Sequence, residues 1–124
     1  MVFIHGGAFI TGSIARVTFG PEFLMTEDIV LVLMNYRLGA LGFLTIEDPS
    51  FQVTGNAGLK DQILALKWVQ KNIKQFCGDP SNVTLLGQSA GSASVHYLVL
   101  SPQTKGNYNV PHLDLPSVVS RFVP

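Results

Sequence analysis

Three short apolar runs set the rhythm of the chain. Met1-Val2-Phe3-Ile4 is continuously apolar rather than alternating, the pattern of a strand buried on both faces. Ile29-Val30-Leu31-Val32-Leu33-Met34 repeats that pattern, and Val83-Thr84-Leu85-Leu86 is a third strand. Between the second and third lies a helical period. Apolar residues fall at Leu59, Ile63, Leu66, Val69 or Gln70, Ile73 and Phe76, so the spacing predicts one helix from Ala57 to Phe76. Asn56 is its expected N-cap. Asp61 in the first turns and Lys71 and Lys74 near the end suit the helix dipole. Gly78 is the expected C-terminal glycine, and Asp79-Pro80 stops the helix. Ala93 to Leu100 has helical character again. Strand, strand, long helix, strand, helix implies an α/β fold, a parallel sheet with helical crossovers.

The polar and glycine-rich stretches fill the gaps. The residues up to Gly20-Pro21 read as a loop rich in small side chains, and Glu22 to Thr26 as one helical turn. Leu38-Gly39-Ala40-Leu41-Gly42-Phe43-Leu44 reads as a packed loop. Thr45 to Gly55 is polar, with a turn at Asp48-Pro49-Ser50. The tail from Asn107 to Pro124 has prolines at 111, 116 and 124 and no period, so it reads as irregular.

Composition narrows the class. Charged residues make up 13% of the 124, against roughly 25% in an ordinary soluble domain, and hydrophobic residues 47%. So little charge suggests the interior of something larger. The formal net charge is zero and no basic stripe is present, which argues against nucleic acid as a partner. No apolar run approaches the ~20 residues of a membrane span, and Met1 opens no signal peptide. The single cysteine, Cys77, has no base beside it and reads as a small semi-buried residue near a helix end. No metal or cofactor motif stands out.

The chemistry sits at Gly87-Gln88-Ser89-Ala90-Gly91. A strand precedes it and a helix follows, the context a Gly-x-Ser-x-Gly nucleophile elbow requires. The turn must lift a hydroxyl clear of the sheet, so Ser89 is expected in a strained backbone conformation. Gly87 and Gly91 lack side chains because strand and helix pass too close for a Cβ. Serine acyl transfer also needs donors for an oxyanion. The backbone N–H of Ala90 is one. Two more are expected at Gly7 and Ala8, in the His5-Gly6-Gly7-Ala8-Phe9 turn after the first strand. His5 reads as shaping that loop rather than as the base. His96 lies seven residues beyond Ser89 on one helix, ~10 Å along the axis, and reads as a packing residue. His112 with Asp114 falls in the irregular tail, where no later strand presents it. Phe9, Phe43 and Trp68 read as core or pocket-wall residues. Asn82-Val83-Thr84 matches the N-glycosylation sequon, but it enters a buried strand, so the unmodified reading is preferred.

As an ordered set, several blocks closely resemble type-B carboxylesterases, the carboxylesterase and cholinesterase family of α/β-hydrolases. They are His5-Gly6-Gly7-Ala8-Phe9, Asn35-Tyr36-Arg37-Leu38-Gly39, Gly55-Asn56-Ala57-Gly58-Leu59-Lys60-Asp61-Gln62, Gly78-Asp79-Pro80 and Gly87-Gln88-Ser89-Ala90-Gly91. Lipases of the hormone-sensitive type share His-Gly-Gly, but the block around Asp61-Gln62 favours type B. The resemblance covers residues 1–106 and implies part of an α/β-hydrolase fold. It implies a carboxylic ester hydrolase with a small-molecule ester substrate and no cofactor, Ser89 as nucleophile, and Gly7, Ala8 and Ala90 as oxyanion donors. It implies that the acid and histidine of the triad lie beyond Gly106, where the family continues for several hundred residues. Gln88 stands where the family usually has Glu, as in insect esterases, and Cys77 where it often has Gly. Residues 107–124 leave the family pattern and are expected to be a non-native tail on a fragment. The resemblance alone suggests secretion and bears on no oligomeric state. An inactive, adhesion-type member of the same fold, or a non-catalytic fragment, is the other reading; the presence of Ser89 favours an esterase parent.

Overall fold

The computed structural model describes residues 1–14, 21–22, 24–104 and 117–122. Among these residues four strands form one sheet: β1 (Val2–Ile4), β2 (Val32–Met34), β3 (Val83–Gln88) and β4 (Ser117–Phe122), in spatial order β2-β1-β3-β4. β1 is parallel to both neighbours, with Ile4 opposite Met34 on one side and Gly87 on the other. β4 runs antiparallel to β3, from Val83 opposite Phe122 to Gln88 opposite Ser117. The tail is therefore not wholly irregular. Its backbone pairs with β3 over Ser117–Phe122, between the prolines that the sequence has at 116 and 124. Residues 105–116 lie outside the described set, and with them His112 and Asp114; so do residues 15–20 of the expected small-residue loop.

Among the described residues, burial alternates along β1 and β3. Val2, Ile4, Val83 and Leu85 are buried, while Phe3, Leu33, Thr84 and Leu86 between them are half-exposed. The apolar core among the described residues joins Val2, Ile4 and Leu85 to Ile63, Leu66, Val95 and Leu98. β2 is also shorter than its apolar run. β1 offers partners only at Val2, Phe3 and Ile4, so Ile29 to Leu31 stay outside the ladder, with Val30 accepting a hydrogen bond from the Met1 ammonium at 2.7 Å.

Among the described residues the helices are α1 (Gly39–Phe43), α2 (Ala57–Asn72) and α3 (Ala90–Leu100). The expected loop at 38–44 is thus a helical turn. Gly42 is buried in it, where a Cβ would stand 2.6 Å from the Arg37 carbonyl carbon. The expected turn near Glu22 is a 3₁₀ segment at Leu24–Thr26, and Asp48 Oδ1 accepts the Ser50 N–H at 2.9 Å in the expected 48–50 turn.

α2 differs from its sequence outline at both ends and on its outer face. Asn56 adopts φ 52° and makes no side-chain cap; its carbonyl instead accepts the Lys60 N–H at 3.0 Å. Asp61 is drawn to Arg37 rather than to the dipole. Its oxygens accept Arg37 Nε–H and Nη2–H, each at 2.7 Å, and the Arg37 backbone N–H at 3.1 Å. These hydrogen bonds hold the Asp61 carboxyl below the usual carboxylate range. Beyond Asn72 the helix tightens to a 3₁₀ turn, Ile73–Phe76, and ends on Cys77 at φ 62°. The left-handed cap is therefore Cys77. Gly78 instead supplies space, because a Cβ there would lie 2.6 Å from Ile73 Cγ1. Phe76 and Trp68 are 55% and 47% exposed, with their rings 5.8 Å apart, so both lie on the outer face and not in the core.

Candidate active site

The parallel pairing of β1 with β3 decides the site. Ile4 lies opposite Gly87, so the turn after β1 and the turn after β3 emerge side by side at one sheet end. Ser89 sits between β3 and α3 with φ 55° and ψ −120°, a conformation that costs a non-glycine residue about 1–3 kcal/mol. The surroundings hold it there by crowding. A Cβ on Gly87 would stand 2.6 Å from the Ser92 nitrogen, and one on Gly91 would stand 2.8 Å from the Ile4 carbonyl carbon. A Cβ on Gly6 would stand 2.6 Å from the Gln88 carbonyl oxygen and 3.0 Å from Ser89 Cβ, which places the first turn directly against the second. Real Cβ atoms do not tolerate such contacts, so glycine is a steric requirement at all three positions.

Hydroxyls on α3 tie the elbow down. Ser92 Oγ donates to the Gly87 carbonyl at 2.6 Å, across the turn. Ser94 Oγ donates to the Ala90 carbonyl at 3.0 Å and accepts from Gln62 Nε2 at 3.1 Å, which joins α2 to the first turn of α3. Gln62, Ser92 and Ser94 are all buried. Ser89 itself is exposed, at the N-terminus of a helix of eleven residues.

The turn after β1 passes through three successive residues with positive φ: Gly7 at 114°, Ala8 at 53° and Phe9 at 61°. The Gly7 carbonyl accepts both the Ile10 and the Thr11 N–H at 3.0 Å, which closes the turn. Only glycine reaches the Gly7 geometry without strain. Among the described residues nothing accepts from the N–H groups of Gly7, Ala8 or Ala90.

Two side chains behind this turn set its peptide planes. His5 is buried, stacked on Tyr36 at 4.6 Å between centroids, and its Nδ1 lies 2.7 Å from the Gly6 carbonyl oxygen. A carbonyl only accepts, so Nδ1 carries the proton. The Tyr36 hydroxyl donates to the His5 carbonyl at 2.9 Å. In a planar trans peptide the C=O and the following N–H point in opposite directions. Holding the Gly6 carbonyl with His5 therefore turns the Gly7 N–H outward, away from the imidazole. Nε2 of His5 is buried with no hydrogen-bond partner among the described residues.

His5 shapes the loop, as its position in the sequence suggests, and does not hydrogen-bond to Ser89. His96 is exposed on α3 and does not fill the packing role expected of it. Beside the turn after β1 opens an apolar cavity of about 630 Å³, lined by Ala8, Phe9, Phe43, Leu59 and Tyr97 among others. Phe9 and Phe43 meet edge to face in its wall at 5.2 Å. Tyr36, Gln62, Ser92 and Ser94 escape sequence reasoning as site residues, since Tyr36, Ser92 and Ser94 act on backbone carbonyls and Gln62 acts on the Ser94 hydroxyl. The one available signal is that Tyr36 and Gln62 fall inside blocks that carry the family resemblance. Among the described residues no helix is long and apolar enough to cross a membrane, and no group of three or more His, Cys, Asp or Glu side chains converges.

The chain is 53% identical over 105 residues to Esterase B1 of Culex pipiens, covering 85% of this chain and 19% of that protein. It is 48% identical over 106 residues to juvenile hormone esterase of Heliothis virescens, covering 86% and 18%. Among solved structures, juvenile hormone esterase from Manduca sexta, with OTFP covalently attached, superposes with a TM-score of 0.80 at 47% identity, covering 86% of this chain and 20% of that one. The chain thus spans about a fifth of the length of these relatives. What it spans is the part of the α/β-hydrolase fold that holds β1, the elbow and α3. The profile of the Carboxylesterase family matches residues 1–110, and the chain belongs to that family.

Proposed function

We propose that these residues supply the nucleophile and oxyanion half of a serine carboxylesterase site, with the triad acid and histidine lying outside this chain. Ser89 Oγ attacks the carbonyl carbon of a small-molecule carboxylic ester, and its proton passes to the histidine. Negative charge then grows on the former carbonyl oxygen, and the N–H groups of Gly7, Ala8 and Ala90 receive it. The tetrahedral adduct expels the alcohol and leaves an acyl group on Ser89, which water releases. The observation that carries this reading is Ser89 at φ 55° on the tip between β3 and α3, packed against the Gly6 turn. Covalent attachment of OTFP to the Manduca sexta relative is the kind of capture a nucleophilic mechanism produces. Family membership supports ester hydrolysis in general.

A second reading, that the chain by itself is catalytically silent, rests on a specific observation: among the described residues no histidine hydrogen-bonds to Ser89. The two readings meet in one experiment. Residues 1–105 are grafted in place of the matching segment of Culex Esterase B1, and the 124-residue chain is assayed beside the graft. The graft hydrolyses a p-nitrophenyl ester, and Ser89→Ala lowers its kcat by about 10⁴-fold or more. The chain by itself shows no turnover and no labelling of Ser89 by an organophosphate. A graft whose activity survives Ser89→Ala defeats the nucleophile assignment. Rapid labelling of the isolated chain defeats the division of the site.

A further inference from the structure

We propose that Asn82 is an acceptor site for an N-linked glycan. Asn82-Val83-Thr84 is the single Asn-x-Ser/Thr in the 124 residues, and its middle position is not proline. The apolar run beginning at Val83 suggests that the acceptor is buried with the strand, but the structure separates the two. β3 begins at Val83, which is buried, and Asn82 stands one residue before it, exposed, in a turn. That turn is well defined. Asp79 Oδ1 accepts the Ser81 N–H at 2.8 Å and the Ser81 hydroxyl at 2.6 Å, and the Asp79 carbonyl accepts the Asn82 N–H at 3.1 Å. From α2, Gln70 Nε2 donates to the Pro80 carbonyl at 3.0 Å and anchors the turn to the helix. Asn82 thus leaves the fold on its outside while the next residue enters the core.

Thr84 is half-buried and paired in β3, so the sequon is readable only while the chain is still extended. Transfer at that stage needs only that the finished fold leave room for the sugar, which an exposed Asn82 does. In the transfer, Asn82 Nδ2 attacks the anomeric carbon of an oligosaccharide carried on a polyprenyl diphosphate. The new C–N bond forms as the bond from that carbon to the diphosphate oxygen breaks. The polyprenyl diphosphate departs, and one amide proton passes to a base of the transferase. No electrons change hands.

The position also separates the glycan from the chemistry. β3 has six residues between Asn82 and Ser89, ~20 Å at ~3.3 Å per residue. At the Asn82 end the sheet opens onto a cavity of about 800 Å³, bordered by Asn82 itself, Val30, Val69 and Phe76. A glycan there lies over the apolar lip around Phe76, which is 55% exposed.

The test uses the 124-residue chain behind a cleavable leader, translated in the presence of microsomes that hold the lipid-linked oligosaccharide. The expected product is one upshifted band, returned to its original mobility by peptide N-glycosidase, with position 82 converted to aspartate in the tryptic peptide. Asn82→Gln and Thr84→Ala abolish the shift, and Thr84→Ser retains it. Because transfer precedes folding, a variant that folds poorly still reports on the acceptor. A chain that is imported, leader-cleaved and protected from added protease, yet runs without an upshift, overturns the proposal. Exposure is tested separately: the glycan is released by the glycosidase without denaturant, and a requirement for denaturant overturns the placement of Asn82.

Discussion

The two ends of β3 are built to opposite rules. At its C-terminal end three glycines have no room for a Cβ, and the Gly87 and Ala90 carbonyls are each taken by a serine hydroxyl. At its N-terminal end the chain leaves an exposed turn beside an open cavity. The sheet is the same and the residues belong to one strand, so the contrast comes from what packs against each end. Where two turns and a helix start converge, backbone atoms lie too close for side chains to adapt, and substitutions act through sterics. Where one turn meets solvent, substitutions act through conformational preference and charge, and the effects are smaller.

That difference can be broken most forcefully at Gly91. Gly91→Ala drives a methyl into the Ile4 carbonyl, which is backbone and cannot give way, so a loss of about 3 kcal/mol is expected. Urea denaturation of the esterase graft measures it, and a loss under 1 kcal/mol contradicts the crowding argument.

Behind the crowded end, Tyr36→Phe removes the hydroxyl that holds the His5 carbonyl and leaves a buried acceptor without its donor. If the peptide planes of the turn aim the oxyanion donors, kcat of the graft falls about tenfold with KM unchanged. A rise in KM at constant kcat assigns Tyr36 to ground-state binding instead.

Away from the site, Cys77 holds a left-handed conformation at φ 62° that glycine adopts without penalty. Cys77→Gly is therefore expected to stabilise the protein by about 1 kcal/mol, visible as a higher urea midpoint. No gain, or a loss, means the cap is set by the side chain and not by the backbone.

The smallest effect belongs to the exposed Arg37–Asp61 pair. Asp61 is held below its ordinary value by the Arg37 hydrogen bonds, so its folded pKa lies below its unfolded one. The stabilisation is full above the unfolded carboxylate value of ~3.9 and is lost as pH falls through the lowered folded value. In Asp61→Asn that contribution is absent, so stability falls less steeply over this acid window than in the parent. Urea midpoints taken across it check the sign, and parallel curves for the two proteins would remove the pair from the account.

Much of this was legible from the one-dimensional pattern. Gly-x-Ser-x-Gly between an apolar run and a helix can hardly be arranged otherwise, because the local turn must be sharp and glycine is what permits it. The period of Ile63, Leu66 and Val69, carried on by Ile73 in the following 3₁₀ turn, likewise names the inner face of α2, and all four are buried. Both signals are local in sequence, within one helix or one turn.

What the sequence by itself determined was therefore the three parallel strands, α2, α3 and the serine at the turn between β3 and α3. Only the tertiary structure decided which carbonyls are claimed by Tyr36 and Ser92, because those partners come from different elements or lie across a turn. It also decided that Cys77 rather than Gly78 takes the left-handed cap, that residues 39–43 coil into a helix, and that Ser117–Phe122 pairs with β3. Hydrophobicity ranks residues by how much they gain from burial, but it carries no information on how many layers cover a sheet or where a strand's first hydrogen bond falls. Those depend on neighbours remote in sequence, and they place Ser89 beside the Gly7 turn and Asn82 outside the fold.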